Sequence, residues 1–314
     1  LRPSFVPAAP IRQLRDYTRL RIDLTRERTR HWQRMEKLLE DALIKVSSVV
    51  SRLDSMSVRD MLEALIFGER DPRRLADHAR GKMRPKRAAL IEALTGRFDA
   101  HHGVLARVLL DQIDTVNTQI TRLSEAIDEL LTLITDVPTV DDDGPGEGMS
   151  TAATAVQRLS EVTGIGQLTA EVIVAEIGMD MTRFPTAAHL VSWARLSPRT
   201  VQSGAVLHGG RTGKGNPYLK GVLGEAAAVA ARTDSFLGER YRRLVKRRGK
   251  LKALVAVARS MLVIVCNVLA DPAVRYQDLG ADHYVNRTDT QRRVRNHLSQ
   301  LAALGYRVTV EPAA

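Results

Sequence analysis

The chain has 314 residues, with 47 Lys and Arg against 36 Asp and Glu and a formal net charge of +11 at neutral pH. Its 44% hydrophobic and 26% charged residues exclude a wholly disordered or fibrous protein, and the length predicts two or three folded units. The lone cysteine, Cys266, excludes an intrachain disulfide or a thiolate metal cluster, and the basic balance favours polyanionic partners.

Residues 1–46 read as a connector and a basic helix. Ala9 to Val46 has no Gly and no Pro after Pro10, and sets Leu14, Leu20, Leu24, Met35, Leu38 and Leu39 among Arg and Glu; this predicts one long helix. In 47–100, helical patterns such as Val58, Met61, Leu62, Leu65 and Ile66 are broken by Gly68, Asp71-Pro72 and Arg84-Pro85, which predicts a small helical insert. In 101–138, Leu109, Ile113, Val116, Ile120, Leu123, Ile127, Leu130 and Ile134 repeat with alternating spacings of 4 and 3, a coiled-coil seam. That seam packs either on a second copy or antiparallel on the Ala9 to Val46 helix, and the pattern does not choose. Residues 139–150, with Asp141-Asp142-Asp143-Gly144-Pro145-Gly146, read as an acidic linker. Adjacent aspartates on a flexible chain rarely converge on one ion, so no metal site is expected.

Residues 151–280 form the next expected domain. Leu159 and Val162, then Thr163-Gly164-Ile165-Gly166, then Thr169 to Ile177 give a helix, a Gly-x-Gly turn and a second helix, a helix-hairpin-helix pattern. Gly164, Ile165 and Gly166 are candidate phosphate binders, because glycine lets backbone approach closely and the second helix offers free N–H groups at its positive end. The competing reading is a plain packing turn. From Arg195 to Arg259 there are 15 Lys and Arg against three acids, a net +12 that accounts for the whole basic excess. Such clustering is the footprint expected on nucleic acid. With 13 aromatic residues in all, single-strand stacking platforms are disfavoured.

Helices are expected over Leu219 to Arg232, Phe236 to Arg248 and Lys252 to Ala270. The middle one places Leu237, Tyr241, Leu244 and Val245 on one side, leaving Arg243 and Arg247 as candidate phosphate contacts. The apolar run Leu254 to Ala270 contains Arg259 and falls short of the roughly 20 apolar residues of a membrane span, so a buried helix and no membrane partner are expected. In a tail of residues 281–314, Val294 to Leu304 predicts a helix, Gly305 its stop, and Tyr306 to Val310 a short strand. The fold class is therefore mainly α: a long helical or coiled-coil strut, a helical domain containing a helix-hairpin-helix, and a short C-terminal strand.

Gly164-Ile165-Gly166 is followed by Ala175-Glu176-Ile177-Gly178, Arg183-Phe184-Pro185, Trp193-Ala194-Arg195-Leu196-Ser197-Pro198, Gln202-Ser203-Gly204 and Gly213-Lys214-Gly215-Asn216-Pro217-Tyr218-Leu219. In this order the motifs resemble the C-terminal transposase domain of the IS-one-ten family of insertion-sequence transposases. The resemblance implies DNA transposition or site-specific recombination, with Ser203 as the nucleophile of a covalent phosphoserine link to DNA. From the residues alone, a Ser that favours a turn is the simpler account of Ser203. Arg211, Lys214 and Lys220 are candidate contacts to the scissile or flanking phosphates; the loop lacks the spacing of a nucleotide-binding Gly-Lys-Ser/Thr motif.

The family also carries an N-terminal RuvC-like domain whose four acidic residues bind divalent metal. The opening Leu1 to Pro7 resembles the connector that follows that domain, so the chain is expected to begin there and to depend on it. No cofactor is expected in this chain; magnesium belongs to that other domain. The implied partners are double-stranded DNA, a structured guide RNA and a homo-oligomer formed through the strut, with a cytoplasmic location on the nucleoid during action. The alternative function is a non-catalytic nucleic-acid-binding module, either a truncated transposase remnant or a helix-hairpin-helix adaptor.

Overall fold

A computed structural model describes residues 7–135, 151–286 and 290–309; at 199–203, 207–209, 211, 285–286 and 290–293 the description is of the backbone. The expected acidic linker, 139–150, lies outside the described residues. The fold is mainly α and divides into two compact units, Gln13–Leu130 and the remainder.

The first unit is built from α1 (Ala9–Asp41), α2 (Met56–Ile66), α3 (Pro72–Ala76), α4 (Arg87–Ala93) and α5 (Ala100–Leu133). One breaker of the sequence becomes a helix start here: Asp71 accepts the Arg73 N–H at 2.9 Å and Pro72 follows in the first turn of α3, an N-cap with proline where its missing N–H costs nothing. Met35 and Leu39 of α1 share a core with Met61 and Leu62 of α2, Leu90 of α4, and Leu110 and Ile113 of α5. Arg28 donates to Asn117 at 3.1 Å while His102 stands 3.7 Å from Asp41, so α1 and α5 run antiparallel. The seam residues Ile113, Val116 and Ile127 are buried within this one chain, which is the one-chain arrangement of the two that the heptads allow.

The second unit contains α6 (Ala152–Ser160), α7 (Gln167–Ile177), α8 (Ala187–Trp193), β1 (Pro198–Ser203), β2 (Val206–Thr212), α9 (Pro217–Ala230), α10 (Phe236–Arg248), α11 (Lys250–Ala270), α12 (His283–Asn286) and α13 (Thr290–Ala303). By length and composition α11 could cross a membrane, but half of its apolar window is buried inside the fold. Val257, Met261, Leu262 and Val265 are fully buried, with α6, α8, α9 and α10 packed around them. Asn216 caps α9 by accepting from the Tyr218 and Leu219 N–H groups, with Pro217 in the first turn.

The antiparallel pair β1–β2 is absent from the sequence expectations, because glycines and His208 interrupt any apolar alternation. At the tail, α13 ends as expected: the Gly305 N–H donates to Ala302 and the Tyr306 N–H to Leu301, with Gly305 at φ +88°, a Schellman stop. The strand expected over Tyr306 to Val310 is not formed at residues 306–309, which have no regular structure. Val310 lies outside the described residues. A lone strand there has no partner to satisfy its backbone, and the described sheet ends with β2.

Candidate nucleic-acid interface

Three elements carry the residues singled out by the sequence: the turn between α6 and α7, the β-hairpin with the loop after it, and the far end of α10. In the first, Gly164 has φ +91° and presses on α9; a Cβ there would lie 2.5 Å from the Ala226 carbonyl oxygen. Ile165 is buried and its N–H is bound to the Val162 carbonyl at 2.8 Å. These two therefore serve the packing of the turn. Gly166 differs. It is exposed, begins α7 without a side-chain cap, and has nothing within 4 Å of an added Cβ. The first turn of α7 holds no acidic residue, so its N–H groups and positive dipole end are open to an anion. A cleft of about 540 Å³ is lined by Gly164 and Gly166 of the turn, Thr169 of α7, and Glu161 and Glu225; the two carboxylates oppose the attraction of an anion to the α7 start.

Thr163 is held by a clasp that sequence reasoning missed. Asp278 accepts from Thr163 at 3.2 Å, from the Tyr276 hydroxyl at 2.7 Å, and from the Phe236 and Gly280 N–H groups. Burial pushes the Asp278 carboxyl up, but the four donors outweigh it and hold its pKa below the ordinary value. Burial, reinforced by the neighbouring carboxylate, pushes Tyr276 up to about 12. Because the folded Asp278 is the stronger acid, it adds stability above its unfolded pKa of roughly 3.9 and loses it as pH falls through the lower folded value. Thermal midpoints of the chain are expected to fall more steeply below about pH 4 than those of Asp278→Asn, whose neutral amide has no such titration. Parallel midpoint curves for the two proteins would remove Asp278 as the cause.

Ser203 closes β1 and pairs with Val206 across the Gly204-Ala205 turn. Gly204 has φ +59° at the first turn position, the conformation that matches a two-residue turn to strand twist. Gly204, Ala205 and Val206 are exposed, so the hairpin tip that carries Ser203 faces solvent. Arg211 lies near the far end of β2, beside the Pro198↔Thr212 pair. The loop that follows is fixed at both ends. Gly215, at φ +59°, lies against the end of α8, where a Cβ would be 2.7 Å from the Ala194 carbonyl oxygen and 3.0 Å from the Arg195 Cβ. Asn216 donates to buried Glu176 of α7. Lys220, a sequence candidate for phosphate, instead donates to the Gly213 carbonyl at 2.7 Å and ties the loop down. Lys214 stays exposed.

Gly215 thus brings the Lys214 loop beside Arg195, which the sequence did not mark as a phosphate contact. Arg195 is exposed with φ +57°. Its N–H donates to Ser192 and the Leu196 N–H to Val191, so Arg195 occupies the left-handed stop position of α8 that glycine usually takes. A side chain held in that region costs about 1–2 kcal/mol.

On α10 the cations divide. Arg243 stacks on the Tyr284 ring at 4.1 Å, Arg240 donates to the Tyr284 hydroxyl, and Arg242 is paired with Glu239 and Asp234. Arg243 is therefore bound to α12 on one side, whereas Arg247 is exposed. Among the described residues, the one convergence of metal-ligand types is Asp99, His101 and His102. There His102 Nδ1 accepts the Asp99 N–H, closing the first turn of α5 in the manner of a capping box. This group, one carboxylate and two imidazoles, does not fit a four-carboxylate magnesium site.

Residues 156–242 match the family model described as Transposase IS116/IS110/IS902 family. A stretch of 116 residues is 36% identical to the insertion element IS110 uncharacterized 43.6 kDa protein of Streptomyces coelicolor, covering 36% of this chain and 28% of that relative. The alignment thus spans under a third of the relative's length. The hairpin that carries Ser203, the Gly166 turn and the fixed Lys214 loop all fall inside the stretch that is similar to the IS116/IS110/IS902 transposases.

Proposed function

We propose that the chain serves DNA transposition or site-specific recombination, with Ser203 as nucleophile. The reading is carried by one observation: Ser203 ends β1 beside the exposed Gly204-Ala205 turn of a β-hairpin within the transposase-matched residues. In the proposed step the serine oxygen bonds to phosphorus as the bond from phosphorus to a deoxyribose oxygen breaks. The serine proton passes to a base and the departing oxygen gains one, so the phosphodiester is conserved as a protein link. Arg195 and Lys214 lie at the base of the hairpin, a strand's length from Ser203, and in this reading meet phosphates that flank the attacked one. A serine hydroxyl is a weak nucleophile without an assisting base; the acidic domain with magnesium that the resemblance implies would provide that help. Duplex DNA is the substrate partner in this reading. A structured guide RNA on the helical strut and a homo-oligomer belong to the same proposal, as does a cytoplasmic site of action.

Labelled junction DNA, incubated with the chain and a supplied acidic domain, is expected to give a denaturation-resistant adduct. Ser203→Ala is expected to abolish the adduct and leave duplex affinity unchanged. An adduct that persists in Ser203→Ala rejects the nucleophile, and a wild-type chain that binds yet never forms one under these conditions supports a non-catalytic binding module.

A further inference from the structure

We propose that the corner joining α10 to α11 is a clamp for the phosphate backbone of duplex DNA, formed by Lys246, Arg247, Arg248, Lys250 and Lys252. It rests on the nucleic-acid reading above and adds a surface just beyond the family match, which ends at residue 242. All five side chains are exposed, and among the described residues none has an ion-pair partner. The contrast lies within one helix: Arg240, Arg242 and Arg243 are engaged by Tyr284, Glu239 and Asp234, and the cations beyond them are not.

Helix electrostatics explains half of the corner. Lys246, Arg247 and Arg248 occupy the last turn of α10, where the negative dipole end favours cations. Lys250 and Lys252 occupy the first turn of α11, where that dipole opposes them, and neither an acid nor a side-chain cap is present. Five like charges within seven residues repel one another, and the α11 N–H groups add donors to the same surface. Each of these terms turns favourable when a polyanion is seated there. The partner is a duplex because the corner presents no aromatic residue: Phe236 and Tyr241 are the aromatics of α10 and α11, and both are half-buried, which leaves no platform for unpaired bases.

The test titrates a labelled random-sequence DNA duplex with the full chain across a salt series. Lys246→Gln, Arg248→Gln and Lys250→Gln are combined in one variant. A control variant removes the same charge from the first unit through Lys37→Gln, Lys82→Gln and Arg84→Gln. The corner variant is expected to lose at least about tenfold in affinity at low salt and to flatten the log–log salt slope by about 2–3, with the control near wild type. Unfolding midpoints of both variants should match wild type, because all six positions are exposed. Equal affinity and slope in the corner variant overturn the clamp while duplex binding by the wild type upholds the broader reading. Equal losses in both variants also overturn it, as general charge attraction. A corner variant that loses a structured RNA but keeps the duplex assigns the surface to RNA and overturns the clamp. Absence of any wild-type shift fails the broader reading and the clamp together.

Discussion

Gly164→Ala is expected to destabilise the second unit by about 2–4 kcal/mol, with a fall in its thermal midpoint of roughly 5–15 °C. Two costs combine. At φ +91° a side chain is forced into backbone space that L-residues avoid, at about 1–2 kcal/mol. The new methyl would also meet the Ala226 carbonyl oxygen at 2.5 Å and the Ala230 Cβ at 3.0 Å, both on a helix packed against α7 and α11. Relief requires α9 to move, and overpacking of this kind costs about 1–3 kcal/mol. Gly166→Ala, two residues on, is the internal control. Its φ is −95° and the space around it is open, so the change in stability should stay within about 1 kcal/mol, the range set by a poorer N-cap. Duplex affinity is expected to report the reverse order once each protein is compared at a temperature where it is folded: Gly166→Ala crowds the open α7 terminus, and Gly164→Ala does not. Equal stability losses for the two variants would show that the turn does not divide into a packing glycine and a surface glycine.

That division marks how far the sequence could be read. Gly164-Ile165-Gly166 announced a tight turn between helices, but spacing cannot tell which glycine faces a neighbouring helix and which faces solvent. The heptads from Leu109 to Ile134 placed α5 well, yet the same apolar spacing serves a second chain or a second helix; the choice lay in α1 returning alongside through Met35 and Leu39. Net charge located the basic region correctly while leaving unequal arginines alike. Arg242 and Arg243 are neighbours in α10, and both are engaged within the fold, one by carboxylates and the other by a ring more than 40 positions away. The hairpin at Ser203 was legible as a Ser-Gly turn and illegible as strands, because pairing across Gly204 is decided by backbone geometry. Arg195 stood in the Trp193 to Pro198 motif and opened the basic stretch, but its place as the stop of α8 was illegible, since any residue can follow a helix and only its positive φ marks it.

Arg158→Ala is expected to cost about 3 kcal/mol, the scale for removing a charged donor from buried acceptors. Arg158 is 6% exposed, and its guanidinium donates to the Val268 carbonyl at 2.7 Å and the Asp271 carbonyl at 2.9 Å. These are end-turn acceptors of α11, a position where helices lack internal donors. From Asp271 the chain runs to Arg275, which pairs with Glu161, and on to Tyr276 and Asp278, which hold Thr163. Arg158 thus fixes where the segment starts, and Asp278 fixes where it lands on the turn. Two anchors of one strap should couple: the loss in Arg158→Ala combined with Asp278→Asn is expected to fall short of the sum of the single losses by about 0.5–3 kcal/mol, because a strap freed at one end no longer benefits from the other. Equilibrium denaturation of the four proteins measures this. Full additivity would separate the two anchors and confine Arg158 to capping α11.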